Sequence, residues 1–188
     1  MSSVIELRQW HRTKNQSHIR SLMHSAGVPR RYLTVTPELP LVQKWIGDQL
    51  HPWLEAPVPP AIFFHGPPGT GKTLSAVAYI RELLLAGIHA CWWNDTELAQ
   101  FLRHHQSGDS RDQADALIQH LSTIPHLFLD DIGTARITEW WGETRYTVIN
   151  TRYNNNRATT ITMNDTESLD DRTARRIVET SLEIKMIP

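Results

Sequence analysis

The sequence predicts an α/β fold built on a mainly parallel five-stranded sheet, and three observations carry that prediction. An apolar run, Ala61-Ile62-Phe63-Phe64-His65, leads into the octapeptide Gly66-Pro67-Pro68-Gly69-Thr70-Gly71-Lys72-Thr73 and then into a segment with Leu74, Val77, Ala78 and Leu84 at helical spacing. A second apolar run, His126-Leu127-Phe128-Leu129, ends in the doubled acid Asp130-Asp131. Around these, short β-branched or aromatic runs alternate with segments of helical period, the pattern of strands joined by crossover helices.

From the N-terminus, residues 1 to 31 hold Arg8, Arg12, Lys14, Arg20, Arg30 and Arg31 against Glu6 alone. Residues 1–26 are therefore expected to be a basic arm, too short for an independent domain, and residues 27–188 the core. Within the arm, Ile19, Leu22, Met23 and Ala26 recur at helical spacing between a capping Ser17 and a stopping Gly27. This short amphipathic helix fits either folding back on the core or binding a partner. Pro37 to Trp53 reads as the next helix, with Leu41, Trp45 and Ile46 as its apolar side, and Pro57, Pro59 and Pro60 separate it from the strand at 61–65.

After the helix that begins near Thr73, residues 88–93 read as a strand in which Trp92 and Trp93 face opposite layers, with Cys91 as a small core residue. Thr96 to His104 and Asp112 to Leu121 read as short helices, the first capped by Asn94 three residues ahead of Glu97, with a loop at 106–111 between them. The strand at 126–130 follows, then a helix opening near Thr138-Glu139. Trp140-Trp141 in its first turn fits packing under a loop or stacking on a base. A β-branched strand at 159–163 ends at Asn164, a helix spans Leu169 to Thr180, and residues 181–187 alternate apolar and charged as a last strand. No helical lid is expected beyond it.

The octapeptide is a G-x-x-x-x-G-K-[ST] phosphate loop in its required strand-to-helix context, so a nucleoside triphosphate with Mg²⁺ is the expected ligand. Gly66, Gly69 and Gly71 let the loop amides turn onto phosphate with Pro67, Pro68 and Thr70 between them, Lys72 reaches the β- and γ-phosphates, and Thr73 reaches the metal. Asp130, emerging at the carboxyl edge of a buried strand, is the second metal residue. Asp131 is either the group that polarises the attacking water or a turn cap ahead of Ile132-Gly133. Asn164 is either a water-orienting sensor of the γ-phosphate at the same edge or an ordinary turn residue. Arg172, Arg175 and Arg176, at i, i+3 and i+4, share one helix face; one of them acts in trans on a neighbour's nucleotide, or the stripe is a solvated face with Glu179 pairing Arg175.

Together these residues resemble the AAA+ ATPases of the DnaC/IstB group, bacterial and phage helicase loaders and transposition helpers. The resemblance runs from about Gly27 to the C-terminus. Its carriers are Gly27-Val28-Pro29-Arg30-Arg31-Tyr32-Leu33, the phosphate loop, Leu127 to Gly133 with its double Asp, Tyr146 to Tyr153, and Asp171-Arg172-Thr173-Ala174-Arg175-Arg176, which looks like the group's box VII. It implies an AAA+ P-loop core with sheet order 5-1-4-3-2 and ATP with Mg²⁺ as cofactors. It places Arg176 at the arginine-finger position, with Arg172 as second candidate. It further implies ATP hydrolysis, slow and partner-stimulated, a homo-oligomer in the ATP state, single-stranded DNA binding in which Arg103, His104 and His105 are candidates, and a replicative helicase or a transposase as partner.

The remaining composition is consistent with that expectation. At 188 residues and 40% hydrophobic, the chain suits one domain, and a net charge of −1 leaves any DNA contact to local patches. A single cysteine excludes an internal disulfide, and neither a membrane span nor a signal peptide is legible, so a cytoplasmic protein is expected. Two other classes compete: a nucleotide-gated scaffold with negligible turnover, and a small-molecule phosphotransferase, for which the doubled Asp, Asn164 and the arginine stripe are superfluous.

Overall fold

The computed structural model describes residues 16–56, 58–105, 110–133, 138–164 and 169–188. Most of the basic stretch at the N-terminus, most of the loop after His105 and the residues directly after Asn164 lie outside them. The elements are α1 (16–25), a 3-10 turn (Arg30–Tyr32), α2 (Pro40–Glu55), β1 (Ala61–His65), α3 (Lys72–Leu85), β2 (Ala90–Asn94) and α4 (Asp95–His104). They continue with α5 (Arg111–Thr123), β3 (His126–Ile132), α6 (Glu139–Asn154), β4 (Ala158–Met163), α7 (Asp171–Thr180) and β5 (Ser181–Lys185). The strands form one sheet in the order β2-β3-β4-β1-β5, with every neighbouring pair parallel, which is the expected arrangement read from the other edge.

Alternation along the buried strands divides the core into two layers. Ile62, Phe64, Trp92 and Phe128 face α1, α2 and α3, while Phe63, Leu127, Leu129 and Ile161 face α4, α6 and α7. Trp92 and Trp93 divide in the same way, Trp92 into the first layer and Trp93 onto the second. Trp141 is buried in the second layer with Trp140 against it, so both pack. Cys91 is half-buried beside the same layer, and burial pushes its thiol up to about 11, away from nucleophile chemistry.

The stripe of α1 is buried in the main core, with Ile19, Met23 and Ala26 all covered, so this helix folds back on the sheet. Gly27 makes that possible. It ends α1 at φ 92°, donating to His24 O while Val28 donates to Met23 O, and Ala26 O then accepts from Trp92 N at 2.7 Å. A Cβ on Gly27 would lie 2.6 Å from Trp92 O, too close for any other residue. The segment after α1 thereby covers the free edge of β2.

Of the boundaries that differ from the sequence expectation, three have a clear local reason. β2 begins at Ala90 rather than Ile88, because Ile88 N is used to close α3 on Leu83 O. α2 begins at Pro40 rather than Pro37, since Pro40 occupies the first turn, where its missing N–H costs nothing, and Gln43 reaches back to Pro37 O. β5 ends at Lys185 rather than Ile187, because its partner β1 ends at His65, whose carbonyl takes the last ladder bond from Met186 N.

Two buried polar groups tie the amino-end edge of the sheet together. Arg152 of α6, fully buried, donates Nε to Thr159 Oγ1, Nη1 to Leu121 O and Ile124 O, and Nη2 to Ala158 O and Pro125 O. It joins the end of α5 to the starts of β3 and β4. His126, stacked on Phe128 and edge-on to Tyr79, pairs with Thr160 Oγ1 at 2.8 Å, and burial lowers its pKa from 6.5 to about 3. Since the folded pKa lies below the unfolded one, the unfolded chain alone takes up this proton as pH falls from about 6.5 towards 3. Stability is lost over that window, by up to about 1.4 kcal/mol per pH unit for one proton. Chemical unfolding of His126→Leu at a series of pH values is expected to show a shallower slope between pH 4 and 6 than the unsubstituted protein; equal slopes would contradict it.

Candidate nucleotide-binding site

The carboxyl ends of β1, β3 and β4 and the N-terminus of α3 surround a cavity of roughly 460 Å³. The phosphate loop is its floor. Gly66, Gly69 and Gly71 all have positive φ, and the first is also sterically obligatory, because a Cβ there would meet Met186 O at 2.0 Å where the chain passes after β5. From α2, the Trp45 indole donates to Thr70 O at 3.0 Å and fixes the far side of the loop. Gly71 caps α3, so the loop amides and the positive end of the helix macrodipole face the same space.

Lys72 is 7% exposed and donates Nζ to Gly66 O at 2.6 Å and Pro67 O at 2.7 Å. Burial lowers its pKa, against the opposing pull of Asp131 and then Asp130. Asp130 Oδ1 accepts from Thr73 Oγ1 at 2.9 Å and from Thr162 Oγ1 at 2.7 Å. Burial raises the pKa of Asp130, the two hydroxyls oppose that rise, Asp131 adds to it and Arg31 opposes it.

The next residue is re-aimed by the backbone. The pairing of β3 with β4 slips between Leu129 and Ile132, and Asp131 adopts φ 59°, a left-handed conformation that aspartate tolerates better than most residues. Its backbone N donates to Thr162 Oγ1 at 2.8 Å, and Asn164 Nδ2 reaches its Oδ1 at 3.5 Å. Asp130, Asp131, Thr73, Lys72 and Asn164 thus line one cavity, as expected. A magnesium ion fits this donor set: Thr73 and Asp130 present hard oxygens side by side, and would hold a cation that neutralises charge on the phosphate oxygens.

The arginines of α7 do not line this cavity. Arg172 and Arg176 share the face over the Tyr146 ring, 4.7 and 4.9 Å from its centroid, and Arg176 Nε donates to Asn150 Oδ1 at 2.6 Å. Arg175 turns aside and pairs with Glu179 at 2.7 Å, so two rather than three arginines form the stripe. Arg103 and His104 are exposed at the end of α4, and His105 stacks on Phe101 at 4.2 Å.

Six cavity residues were not singled out as site residues from the sequence: Arg31, Tyr32, Leu41, Leu74, Asn94 and Thr162. Thr162 had a usable signal, since it is two residues before Asn164 and shares its face of β4. Arg31 and Tyr32, stacked on each other at 4.5 Å, reach the site only because the turn before α2 folds over the loop.

Residues 59–172 match the sequence profile of the family described as IstB-like ATP binding protein. No curated protein matches the sequence. Among solved structures, the DnaC helicase loader superposes with a TM-score of 0.72 at 22% identity, covering 85% of this chain and 100% of that one. DnaI superposes with a TM-score of 0.72 at 19% identity, over 85% and 94% of the two chains. The replication initiator DnaA bound to AMPPCP and single-stranded DNA gives 0.69 at 18% identity, over 85% of this chain and 51% of that one. At these identities the superpositions establish the shared fold. Phosphate loop, doubled Asp and matched profile agree, and the sheet order is that of a fold shared with DnaC and DnaI: the chain belongs to the IstB-like ATP-binding proteins.

Proposed function

We propose that this protein binds ATP with Mg²⁺ at the phosphate loop, hydrolyses it, assembles side by side in the ATP state, and couples nucleotide to single-stranded DNA and to a replicative helicase that it loads or recruits. One observation carries the hydrolytic part. Asp131 is turned into the cavity by a bulge and a left-handed backbone, within reach of Asn164 and beside the Thr73–Asp130 pair. In this reading Lys72 exchanges its two loop carbonyls for phosphate oxygens. Asn164 holds a water against the γ-phosphate, Asp131 draws its proton, and the products are ADP and inorganic phosphate. The left-handed turn carries the short aspartate forward, where glutamate would have one more methylene.

The assembly part is supported by Arg172 and Arg176, held together over Tyr146 and outside their own cavity. A guanidinium so placed serves a neighbour's γ-phosphate. Arg176→Ala is expected to bind ATP as well as the unsubstituted protein yet hydrolyse it at least about tenfold more slowly, a lower bound well inside the ~10³–10⁵-fold that such a finger can supply. Mixing Arg176→Ala with Lys72→Ala protein then restores part of the activity at mixed interfaces, because one copy keeps the pocket and the other the finger. Absence of any recovery, for Arg172→Ala as well, would remove the in-trans assignment. The helicase-loading part is supported by the fold shared with DnaC and DnaI, and is tested by capture of purified replicative helicase in ATP but not ADP. A second reading, a transposition helper that recruits a transposase to target DNA, is supported by the IstB-like profile match.

A further inference from the structure

A buried ion pair behind the nucleotide cavity is not used by any step above. Asp95, the first residue of α4, is fully buried, and Arg145 of α6 is 3% exposed. Their side chains meet with Arg145 Nη1 at 3.2 Å from Asp95 Oδ2 and 3.4 Å from Oδ1. Burial raises the pKa of Asp95, and the Arg145 guanidinium and the backbone N–H of Gly133 oppose it. The Trp141 indole faces the same carboxylate without completing a hydrogen bond, and Arg145 Nε is buried without a partner.

The location is what gives the pair a role. On one side, Asp95 follows Asn94, which lines the nucleotide cavity and caps α4 by accepting from Thr96 N and Glu97 N. On another, Gly133 lies two residues beyond Asp131, at φ 94°, in the segment whose backbone leaves the β3 register. A buried pair of this kind adds little net stability over apolar residues of similar volume, so a geometric role accounts for it better than an energetic one.

We infer that Asp95 and Arg145 are positioning residues for hydrolysis: by fixing Gly133 against the start of α4, they hold Asp131 in its left-handed, cavity-facing conformation. This inference rests on the reading of Asp131 as the water-polarising group. The test separates geometry from stability with the full-length double variant Asp95→Leu/Arg145→Met, in which apolar side chains replace both charges. Three quantities are measured: the melting temperature, the affinity for a fluorescent ADP analogue, and steady-state ATP hydrolysis.

The double variant is expected to melt close to the unsubstituted protein and to bind the nucleotide within about twofold, yet to turn over ATP at least tenfold more slowly. Hydrolysis within twofold of the unsubstituted rate in a folded double variant would overturn the inference. If the double variant does not fold, Asp95→Asn, which keeps the side-chain shape but removes the carboxylate from the pair, is measured in its place with the same two expectations for affinity and rate. If the unsubstituted protein proves to bind ATP without turnover, the hydrolytic reading fails by itself and the amide resonances decide the positioning. With Asp95 replaced, the Asp131 amide must shift while that of Gly69 in the phosphate loop stays in place. An unmoved Asp131 amide then overturns the inference.

Discussion

Lys72→Ala is expected to abolish ATP binding and turnover while leaving the fold intact. The ammonium is held at the floor of the cavity, fixed by two carbonyls of its own loop at 2.6 and 2.7 Å, of which Pro67 O also accepts from Thr70 Oγ1. Its removal takes away the fixed positive charge over the phosphates, and in a site already carrying Asp130 and Asp131 the remaining local charge repels a triphosphate. A hundredfold or greater drop in affinity corresponds to about 2.7 kcal/mol, modest for deleting a charge-assisted hydrogen-bond donor to phosphate in a partly buried site. Nucleotide titration with circular dichroism as a fold control checks this. A folded Lys72→Ala protein that hydrolyses ATP at the unsubstituted rate would contradict the site assignment altogether. Asp131→Asn should behave differently, keeping ATP bound but not hydrolysed, because the substitution preserves the side-chain shape and alters none of the phosphate-binding groups of the loop.

The largest stability effect is expected far from that site, at Arg152. Its guanidinium makes five hydrogen bonds, and its burial is costly enough to lower the arginine pKa to about 9. Arg152→Met recovers that desolvation but leaves the carbonyls of Leu121 and Ala158 and the hydroxyl of Thr159 without their donor, each buried acceptor costing about 1–3 kcal/mol. The orphaned acceptors outweigh the recovered desolvation, and a net loss of roughly 3 kcal/mol would lower the melting temperature by about 6–12 °C in a domain of this size. Arg152→Lys is expected to recover little of it, since one ammonium cannot span the end of α5, the start of β3 and the start of β4 together. A melting temperature within about 2 °C of the unsubstituted protein for Arg152→Met would show that water or neighbouring groups satisfy these acceptors. Because the residue sits at the sheet edge opposite the nucleotide, ATP affinity in the surviving folded fraction should be unchanged.

Much of this protein was legible as a string. The phosphate loop and the doubled Asp are contiguous motifs whose chemistry depends on local backbone and helix-terminus geometry, so Lys72, Thr73, Asp130, Asp131 and Asn164 fall into one cavity as their spacing and strand context suggested. Strand positions, the two faces of Trp92 and Trp93, and the cap at Asn94 follow from periods of two and 3.6 residues and from a side-chain acceptor within three residues of the amides it binds.

What the tertiary structure alone decided are relations between residues far apart in the chain. Thr162 became a site residue because β4 lies beside β3, which puts its hydroxyl between Asp130 and the Asp131 amide. The arginine stripe was reduced to Arg172 and Arg176 because α6 supplies Tyr146 and Asn150 beneath those two, leaving Arg175 to Glu179. The amphipathic α1 could have served core or partner by its pattern, and only the close passage of Gly27 against Trp92 committed its stripe to the core. Asp95 and Arg145, 50 residues apart, gave no sign in the sequence of meeting at all. Periodicity reports which face of an element is apolar; which other element that face meets is fixed by packing, and packing is a property of the whole chain.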